Sequence, residues 1–438
     1  MLSTPLSLAI ALACFTAADT AKPNIVVLVA DDLGYGDLGC FGHPRIKTPH
    51  LDRMASEGVR LTSFYSGAPI CSPSRAALFT GRNPNRVGVR DWIKGGSGVH
   101  LPRTEITIPQ RLKSAGYTTC LSGKWHLNSR FDGSEPTPGD FGFDHWFATQ
   151  NNTAHQNPAN FIRNGKPVGA LKGHASTLVV DEALKFIGDV GAKPFALFVT
   201  FHAPHEQVAT PGPYKAIYSD LKDPTMRDYY GSVSLIDHEV GRLLETLDAR
   251  GLRDQTLVLF TSDNGPQALL GYPNAIHSHG SAGPFRGMKL SMYEGGYRVP
   301  GILRWPARVK AATECSVPIG FTDLMPSLCA LAGVEPPVDR TLDGVNFLPL
   351  LDGKPVDRPR PLHWQFDYAD NGPWRVSVRR GPWKLLADAK QEQFALYNVV
   401  EDAAETRDRA ADQPEVFKAM QSELERLYIP ENKPASLD

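Results

Sequence analysis

Residues 24–32, with the sequence NIVVLVADD, decide the fold. This run is apolar without alternation, which is typical of a central strand buried on both faces. Residues 194–201 and 256–261 are similar runs and predict two more buried strands. Because strands of this kind need helices on both faces of their sheet, the sequence predicts an α/β fold.

Segments with helical periodicity separate these strands, and we expect helices at residues 49–57, 108–115, 176–187, 227–247 and 324–332. Residues 127–175, which include Trp146, are rich in Gly, Pro and Asn and predict long loops. After Pro336-Pro337 the composition changes. Short antiparallel strands near residues 376–379, 383–386 and 395–397, with a helix at 413–427, predict a small C-terminal α+β subdomain.

Each of the three buried strands is followed by side chains that can bind ligands. These residues are Asp31 and Asp32, His202 and His205, and Asp263 and Asn264. Because parallel strands present their carboxyl ends at one edge of a sheet, we expect these groups to meet there. Paired carboxylate and amide oxygens indicate Ca²⁺ or Mg²⁺, although a solvated acidic turn also explains the Asp31-Asp32 pair alone.

Residues 71–82, CSPSRAALFTGR, predict a reactive residue at the start of a helix. Ser72 suits the N-cap, Pro73 suits the first helical position and Gly81 can end the helix. Cys71 then lies at a helix N-terminus that favours an anion, and Arg75 follows one turn later. This combination indicates a site for a tetrahedral oxyanion. The alternative is that Cys71 is a small buried apolar residue.

Two lysines lie in segments whose neighbouring residues indicate a ligand site. Lys124 and His126 follow a strand predicted at residues 117–121, and side chains two apart on an extended segment point to the same side. Lys289 lies among glycines in residues 283–296, where backbone can approach a ligand closely. The alternative for the first segment is a surface lysine, Lys124, beside a structural histidine, His126. The alternative for the Lys289 segment is a flexible surface loop.

Together these motifs resemble the type I sulfatases of the alkaline phosphatase superfamily, over residues 22–397. The matching stretches are DDLGYGDL from Asp31, TPHLD from Thr48, the Cys71 segment, GKWH around Lys124, APH at His205, SDNG around Asp263, and Lys289 with EGG from Glu294. The resemblance implies a large mixed, mostly parallel sheet sandwiched by helices, with a short antiparallel sheet in the C-terminal subdomain. With the change of composition after Pro336-Pro337, we expect a catalytic domain at 22–335 and a C-terminal subdomain at 336–438.

The resemblance also implies a site built on one Ca²⁺ and a modified cysteine. Cys71 is expected to be oxidised to formylglycine by a formylglycine-generating or anaerobic sulfatase-maturating enzyme, and its hydrated aldehyde is the nucleophile. The implied metal ligands are Asp31, Asp32, Cys71, Asp263 and Asn264. The implied catalytic residues are Arg75 and Lys124, which orient the hydrate, Lys289 and His205, which hold the sulfate ester, and His126, the base.

The chain departs from the family pattern after His205, where Glu206-Gln207 stands near the place of a usual proline. His202 is therefore the second candidate for the role of His205. The expected substrate is a sulfated small molecule or oligosaccharide, with Trp92, Asn152, His155 and His279 as candidate sugar contacts. Alternatives are a phosphonate monoester hydrolase or phosphodiesterase, a non-catalytic protein that binds sulfated glycans, and a thiol hydrolase that pairs Cys71 with His126.

The net charge and the N-terminal sequence limit which partners and which cellular compartment we expect. A net charge of -1 over 438 residues gives no support for binding to nucleic acid or to an anionic membrane. Residues 1–21 contain a short apolar run and then small residues, which predicts a signal peptide and export to the periplasm, the exterior or a lysosome-like compartment. No later segment predicts stable membrane insertion. An oxidising compartment permits a disulfide, but free buried thiols are equally consistent with Cys40, Cys120, Cys315 and Cys329.

Overall fold

The computed structural model describes residues 22–370 and 372–430, so the predicted signal peptide at 1–21 lies outside the described residues. An 11-stranded sheet crosses the larger part of the chain. Its strands are β1 (Asn24–Asp31), β2 (Val59–Tyr65), β3 (Thr118–Lys124), β4 (His145–Thr149), β5 (Ile162–Arg163), β6 (Lys166–Pro167), β7 (Phe195–Pro204), β8 (Thr256–Ser262), β9 (Arg298–Arg304), β10 (Thr313–Cys315) and β11 (Ile319–Gly320).

Strand β1 lies at the centre, and its sequence explains the layers around it. It pairs in parallel with β7 on one side and β8 on the other, and every residue of it is buried. Ile25, Val27 and Val29 enter the core on one face of the sheet. Val26 and Leu28 enter the core on the opposite face. An unbroken apolar run is thus what a strand with two covered faces requires.

Helices cover both faces. They are α1 (Pro49–Ser56), α2 (Cys71–Thr80), α3 (Ile108–Ser114), α4 (Ala175–Asp189), α5 (Gly212–Ala216), α6 (Pro224–Ala249), α7 (Glu294–Tyr297), α8 (Leu324–Ala332) and α9 (Pro414–Leu427). Helices α2, α3 and α8 pack in the core that contains Ile25, while α1, α4 and α6 pack in the core that contains Val26. The order β10-β2-β9-β8-β1-β7-β3-β4-β5-β6, with β11 beside β2, is mostly parallel, but β9 runs antiparallel to β2 and β8. The predicted fold class is confirmed.

A separate sheet near the C-terminus contains β12 (Leu362–Gln365), β13 (Trp374–Arg380), β14 (Trp383–Asp388) and β15 (Phe394–Asn398), all antiparallel. Helix α9 packs against one face of this sheet through Met420 and Leu424. The other face packs on the larger part of the chain, where Trp364 stacks on Tyr297 with ring centroids 4.5 Å apart.

Two local expectations were wrong. Residues 127–175 are not only loops, because β4 pairs in parallel with β3 and its Trp146 packs against Phe131. Ser72 is not the N-cap and Pro73 is not the first helical residue, since α2 begins at Cys71, after the N-cap Ile70. The Ser72 hydroxyl instead accepts a hydrogen bond of 3.0 Å from Ile93 N. Gly81 does end this helix, in the left-handed conformation.

Disulfides and membrane-spanning helices are both absent from the described part of the chain. No disulfide joins the cysteines between residues 22 and 430, where Cys40, Cys71, Cys120, Cys315 and Cys329 are all free. Within the same ranges, none of the helices has both the length and the apolar character needed to cross a bilayer.

Candidate active site

Four neighbouring strands deliver the candidate residues to one edge of the large sheet. Strands β8, β1, β7 and β3 are adjacent and parallel, so their carboxyl ends lie together. Asp31 ends β1 and Lys124 ends β3, while His205 and Asp263 directly follow β7 and β8. This edge is where open α/β sheets bind their ligands.

The acidic and amide side chains form one buried cluster. The amide of Asn264 donates to Asp32 Oδ1 at 2.7 Å, and Asp263 Oδ1 accepts from Asp32 N at 3.3 Å. Ligand atoms of Asp31, Asp32, Cys71 and His205 all lie within 4.8 Å of one another. Asn264 Oδ1 is buried and has no hydrogen-bond partner in the part of the chain that the structure describes. Carboxylates and an unused amide oxygen suit a hard divalent cation, so this donor set fits Ca²⁺.

Each of the three carboxylates is paired with a cation. Arg75 donates from Nε and Nη2 to Asp263 Oδ2 at 2.9 and 2.8 Å. Lys124 Nζ donates to Asp31 Oδ2 at 2.7 Å, and Lys289 Nζ donates to Asp32 Oδ2 at 2.8 Å. Three negative and three positive side chains therefore balance, and a bound dication would make the cluster attractive to an anionic ester.

Burial and charge set the ionisation of the acidic groups. Burial acts to raise the pKa of Asp31, but Lys124 and the other cations hold it well below its usual value. Burial, helped by the charge of Asp31, raises the pKa of Asp263 to about 7. A carboxylate buried this deeply needs nearby positive charge to stay ionised, and a divalent cation would add to the charge that Arg75 supplies.

Cys71 is the first residue of α2 and is buried beside the acidic cluster. Its thiol donates to Asp31 Oδ1 at 3.4 Å. Burial raises the pKa of this thiol and outweighs the opposite effect of Lys124 and Lys289. A cysteine that keeps its proton is a poor nucleophile, which argues against the thiol hydrolase alternative.

His126 is held as a neutral imidazole. Its Nε2 lies 3.1 Å from Ile93 O, so Nε2 carries the proton. The buried Nδ1 has no hydrogen-bond partner among residues 22–370 and 372–430. Burial, with Lys124 and Arg75, keeps its pKa well below the usual value. His126 and Asp32 adopt left-handed backbone conformations, with φ of 57° and 63°. Strain of this kind in non-glycine residues is concentrated at functional sites.

The two histidines after β7 have different surroundings. His205 lines the cavity above Cys71, with Nε2 3.5 Å from Asp32 Oδ2, and burial lowers its pKa. His202 is buried, and its Nε2 lies 2.7 Å from Thr149 Oγ1. The structure therefore brings His205, and not the second candidate His202, to the cavity.

A cavity of about 620 Å³ opens above the cluster, with Cys71, Lys124, His126 and Lys289 at its base. Of the candidate sugar contacts, Trp92 and Asn152 line it, and His155 lines a neighbouring cavity. The structure does not bring His279 to either cavity, since its Nε2 lies 2.8 Å from Thr225 Oγ1. Other wall residues were not predicted: Gln207, Gln267, Tyr272, Asn274, Phe366 and Tyr368. They belong to loops that carry no motif, and only the unusual Glu206-Gln207 pair pointed to one of them.

The fold and this cluster define the class of hydrolases with an alkaline phosphatase-like sheet. Residues 23–334 match the family Sulfatase, and residues 286–429 match the family N-sulphoglucosamine sulphohydrolase, C-terminal. The chain therefore belongs to the sulfatase family, and it is a sulfuric ester hydrolase.

Similar proteins agree with this family. Rat (Rattus norvegicus) N-acetylgalactosamine-6-sulfatase is 38% identical over 385 residues, which cover 80% of this chain and 70% of that protein. Rat steryl-sulfatase is 31% identical over 457 residues, covering 83% of this chain and 76% of that protein. The crystal structure of Ps i-CgsB in complex with k-i-k-neocarrahexaose has a TM-score of 0.85 and 28% identity, and the match covers 95% of this chain and 94% of that one.

Proposed function

We propose that this sulfatase is a calcium-dependent, formylglycine enzyme that removes sulfate from a carbohydrate. The observation that carries the proposal is the cluster around Cys71, in which three carboxylates, one amide and three cations meet below a cavity of about 620 Å³. Amide and aromatic side chains in the cavity walls suit a sugar ring. The rat relative named N-acetylgalactosamine-6-sulfatase and the oligosaccharide complex of Ps i-CgsB support this substrate class.

The strand ends supply the proposed ligands of the metal. Asp31, Asp32, Asp263 and Asn264, with the side chain at position 71, would hold the ion. When present, Ca²⁺ supplies positive charge for the sulfate oxygens, and formylglycine supplies the nucleophilic oxygen that a buried thiol lacks. Two observations support this assignment: Asn264 Oδ1 has no hydrogen-bond partner among the described residues, and the carboxylates of Asp31, Asp32 and Asp263 converge at one point.

The cations and histidines have distinct proposed roles. Arg75 fixes Asp263 through two hydrogen bonds to one oxygen, and its Nη1 donates to Lys124 O at 2.6 Å, which anchors the end of β3. Lys124 and Lys289 offset the charge that grows on the sulfate oxygens, and His205 holds the ester beside Lys289. His126, neutral with a free Nδ1, accepts the proton from the side chain at position 71 when the sulfate is released.

The test compares turnover of p-nitrophenyl sulfate with that of p-nitrophenyl phenylphosphonate, using protein co-expressed with a formylglycine-generating enzyme. We expect the sulfate to be the better substrate and Cys71→Ala to abolish its turnover. Preference for the phosphonate would establish the phosphonate hydrolase alternative. Tight binding of sulfated glycans without turnover of either ester would establish a binding protein. A screen of defined sulfated oligosaccharides then identifies the sugar and the sulfated position.

We also propose that the protein is exported after removal of residues 1–21, that a sulfatase-maturating enzyme modifies it, and that residues 22–335 and 336–438 are its catalytic domain and C-terminal subdomain. The short apolar run at the N-terminus and the family membership support export. N-terminal sequencing of protein recovered outside the cytoplasm should begin near residue 22. Protein that retains Met1 inside the cell would contradict export.

A further inference from the structure

A second cavity of about 840 Å³ adjoins the one above Cys71. Four residues line both cavities: Asn152, Glu206, Gln207 and Asn274. The two cavities are therefore parts of one groove that starts at the reacting group and continues past His205. A groove of this length has room for more than the single ring that carries the sulfate.

The lining of the second cavity is rich in amides and poor in charge. Among its lining residues within the described ranges there is no Lys or Arg. His155 contributes no charge at neutral pH, because burial lowers its pKa to about 3. The Glu206 carboxylate is already engaged, since it accepts from His277 N at 2.5 Å and from Ser278 Oγ at 3.0 Å.

Two amides at the junction of the cavities are available to a ligand. The side chains of Gln207 and Asn274 are exposed and have no hydrogen-bond partner within residues 22–370 and 372–430. Asn152, in contrast, is held in place because its Oδ1 accepts from Lys124 Nζ at 2.8 Å. Amides offer both donors and acceptors to sugar hydroxyls. An anion here would lose water and meet no Lys or Arg among the described lining residues, and the His277 Nδ1 already faces Glu206 Oε2 at 3.2 Å.

We propose that the second cavity binds an uncharged sugar ring next to the sulfated one and discriminates against a neighbouring ring that carries a sulfate or carboxylate. This proposal rests on the carbohydrate sulfatase function proposed above. Gln207 and Asn274 are the residues that determine this specificity, and they act on binding of the neighbouring ring and not on the chemical step.

The experiment uses the mature full chain and matched pairs of disaccharides. Each pair contains the same sulfated hexosamine, linked either to a neutral hexose or to the corresponding hexuronate, and p-nitrophenyl sulfate is measured alongside. Within a pair that is cleaved, we expect kcat/KM for the disaccharide with the neutral ring to exceed that for the hexuronate disaccharide by about tenfold or more. Equal rates, or preference for the hexuronate, would overturn the inference. Turnover of p-nitrophenyl sulfate with no cleavage of any disaccharide would also overturn it, while loss of all turnover would refute the proposed function itself.

Variants locate the effect in the second cavity. Gln207→Ala and Asn274→Ala should each raise KM for the neutral disaccharide about two- to tenfold, with a smaller change in KM for p-nitrophenyl sulfate. Asn274→Lys should reduce the preference for the neutral ring by supplying a cation. Gln421→Ala, on α9 and outside both cavities, is the matched control. Unchanged KM in both alanine variants, or an unchanged preference in Asn274→Lys, would contradict the assignment.

Discussion

Replacement of Lys384 by methionine should weaken the attachment of the small sheet to the rest of the molecule. Lys384 Nζ is fully buried, 2.8 Å from Glu405 Oε1 and 3.2 Å from Glu294 Oε1. In the variant, Glu294 retains the hydrogen bond of 2.6 Å from Tyr65 OH and the ion pair of 3.1 Å with Arg298 Nη1. Glu405 keeps the hydrogen bond of 2.6 Å from Glu294 N but loses its direct ion pair, so the substitution leaves one buried carboxylate with the weaker attraction of Arg379.

The expected destabilisation of Lys384→Met follows from that single unpaired carboxylate. Loss of one partner from a buried ion pair costs about 3–5 kcal/mol. For a chain of 438 residues this corresponds to a decrease in Tm of about 3–5 °C, measured by calorimetry. Burial raises the pKa of Glu405 to about 7, so its contribution to stability is complete below pH 4.5 and is lost as the pH rises through 7. Since loss of the Lys384 charge raises this pKa further, the defect should be larger at pH 8 than at pH 5.

Two further variants control this experiment. Lys418→Met changes an exposed lysine on α9 and should leave Tm within about 1 °C of the parent. Adding Glu405→Gln to Lys384→Met removes the unpaired charge and should recover at least half of the lost stability. The reasoning would be refuted if Lys384→Met were as stable as Lys418→Met, or if the loss of Tm in Lys384→Met became smaller as the pH rises.

Three other predictions concern the site. Arg75→Lys should lower kcat about 10²–10³-fold, because one ammonium cannot replace the two donors that hold Asp263, and activity equal to the parent would exclude this role. His126→Ala should lower kcat about 10²–10⁴-fold with little change in KM, and an effect confined to KM would contradict a base. Treatment with a chelator should reduce both turnover and Tm, with Ca²⁺ restoring both better than Mg²⁺, and unchanged turnover after verified metal removal would contradict a metal site.

The centre of the fold and the base of the site could be predicted from the sequence because both lie on long buried strands. The apolar run that forms β1 has few alternatives, and Asp31 must then lie at the carboxyl edge of the sheet. Parallel pairing places β7 and β8 on either side, so His205 and Asp263 follow from the same pattern. These positions depend on backbone geometry that local sequence determines.

The walls of the site could not be predicted, because their residues come from distant loops. Tyr272 and Tyr368 line the cavity, although neither belongs to a periodic segment or a motif. Strand β4 was missed for a related reason, since its five residues are stabilised by pairing with β3 and not by local propensity. Helix α2 starts two residues earlier than predicted, and the Ser72 hydroxyl bonds Ile93 N, a contact from outside the helix.

The most direct measurement of the central claim relates sulfate release to the fraction of residue 71 that is converted to formylglycine. Preparations made with increasing amounts of maturating enzyme are analysed by mass spectrometry, in which the converted peptide is lighter, and their turnover of p-nitrophenyl sulfate is recorded. We predict that turnover rises in proportion to conversion and falls to background in unconverted protein. Equal turnover in converted and unconverted preparations would contradict the account.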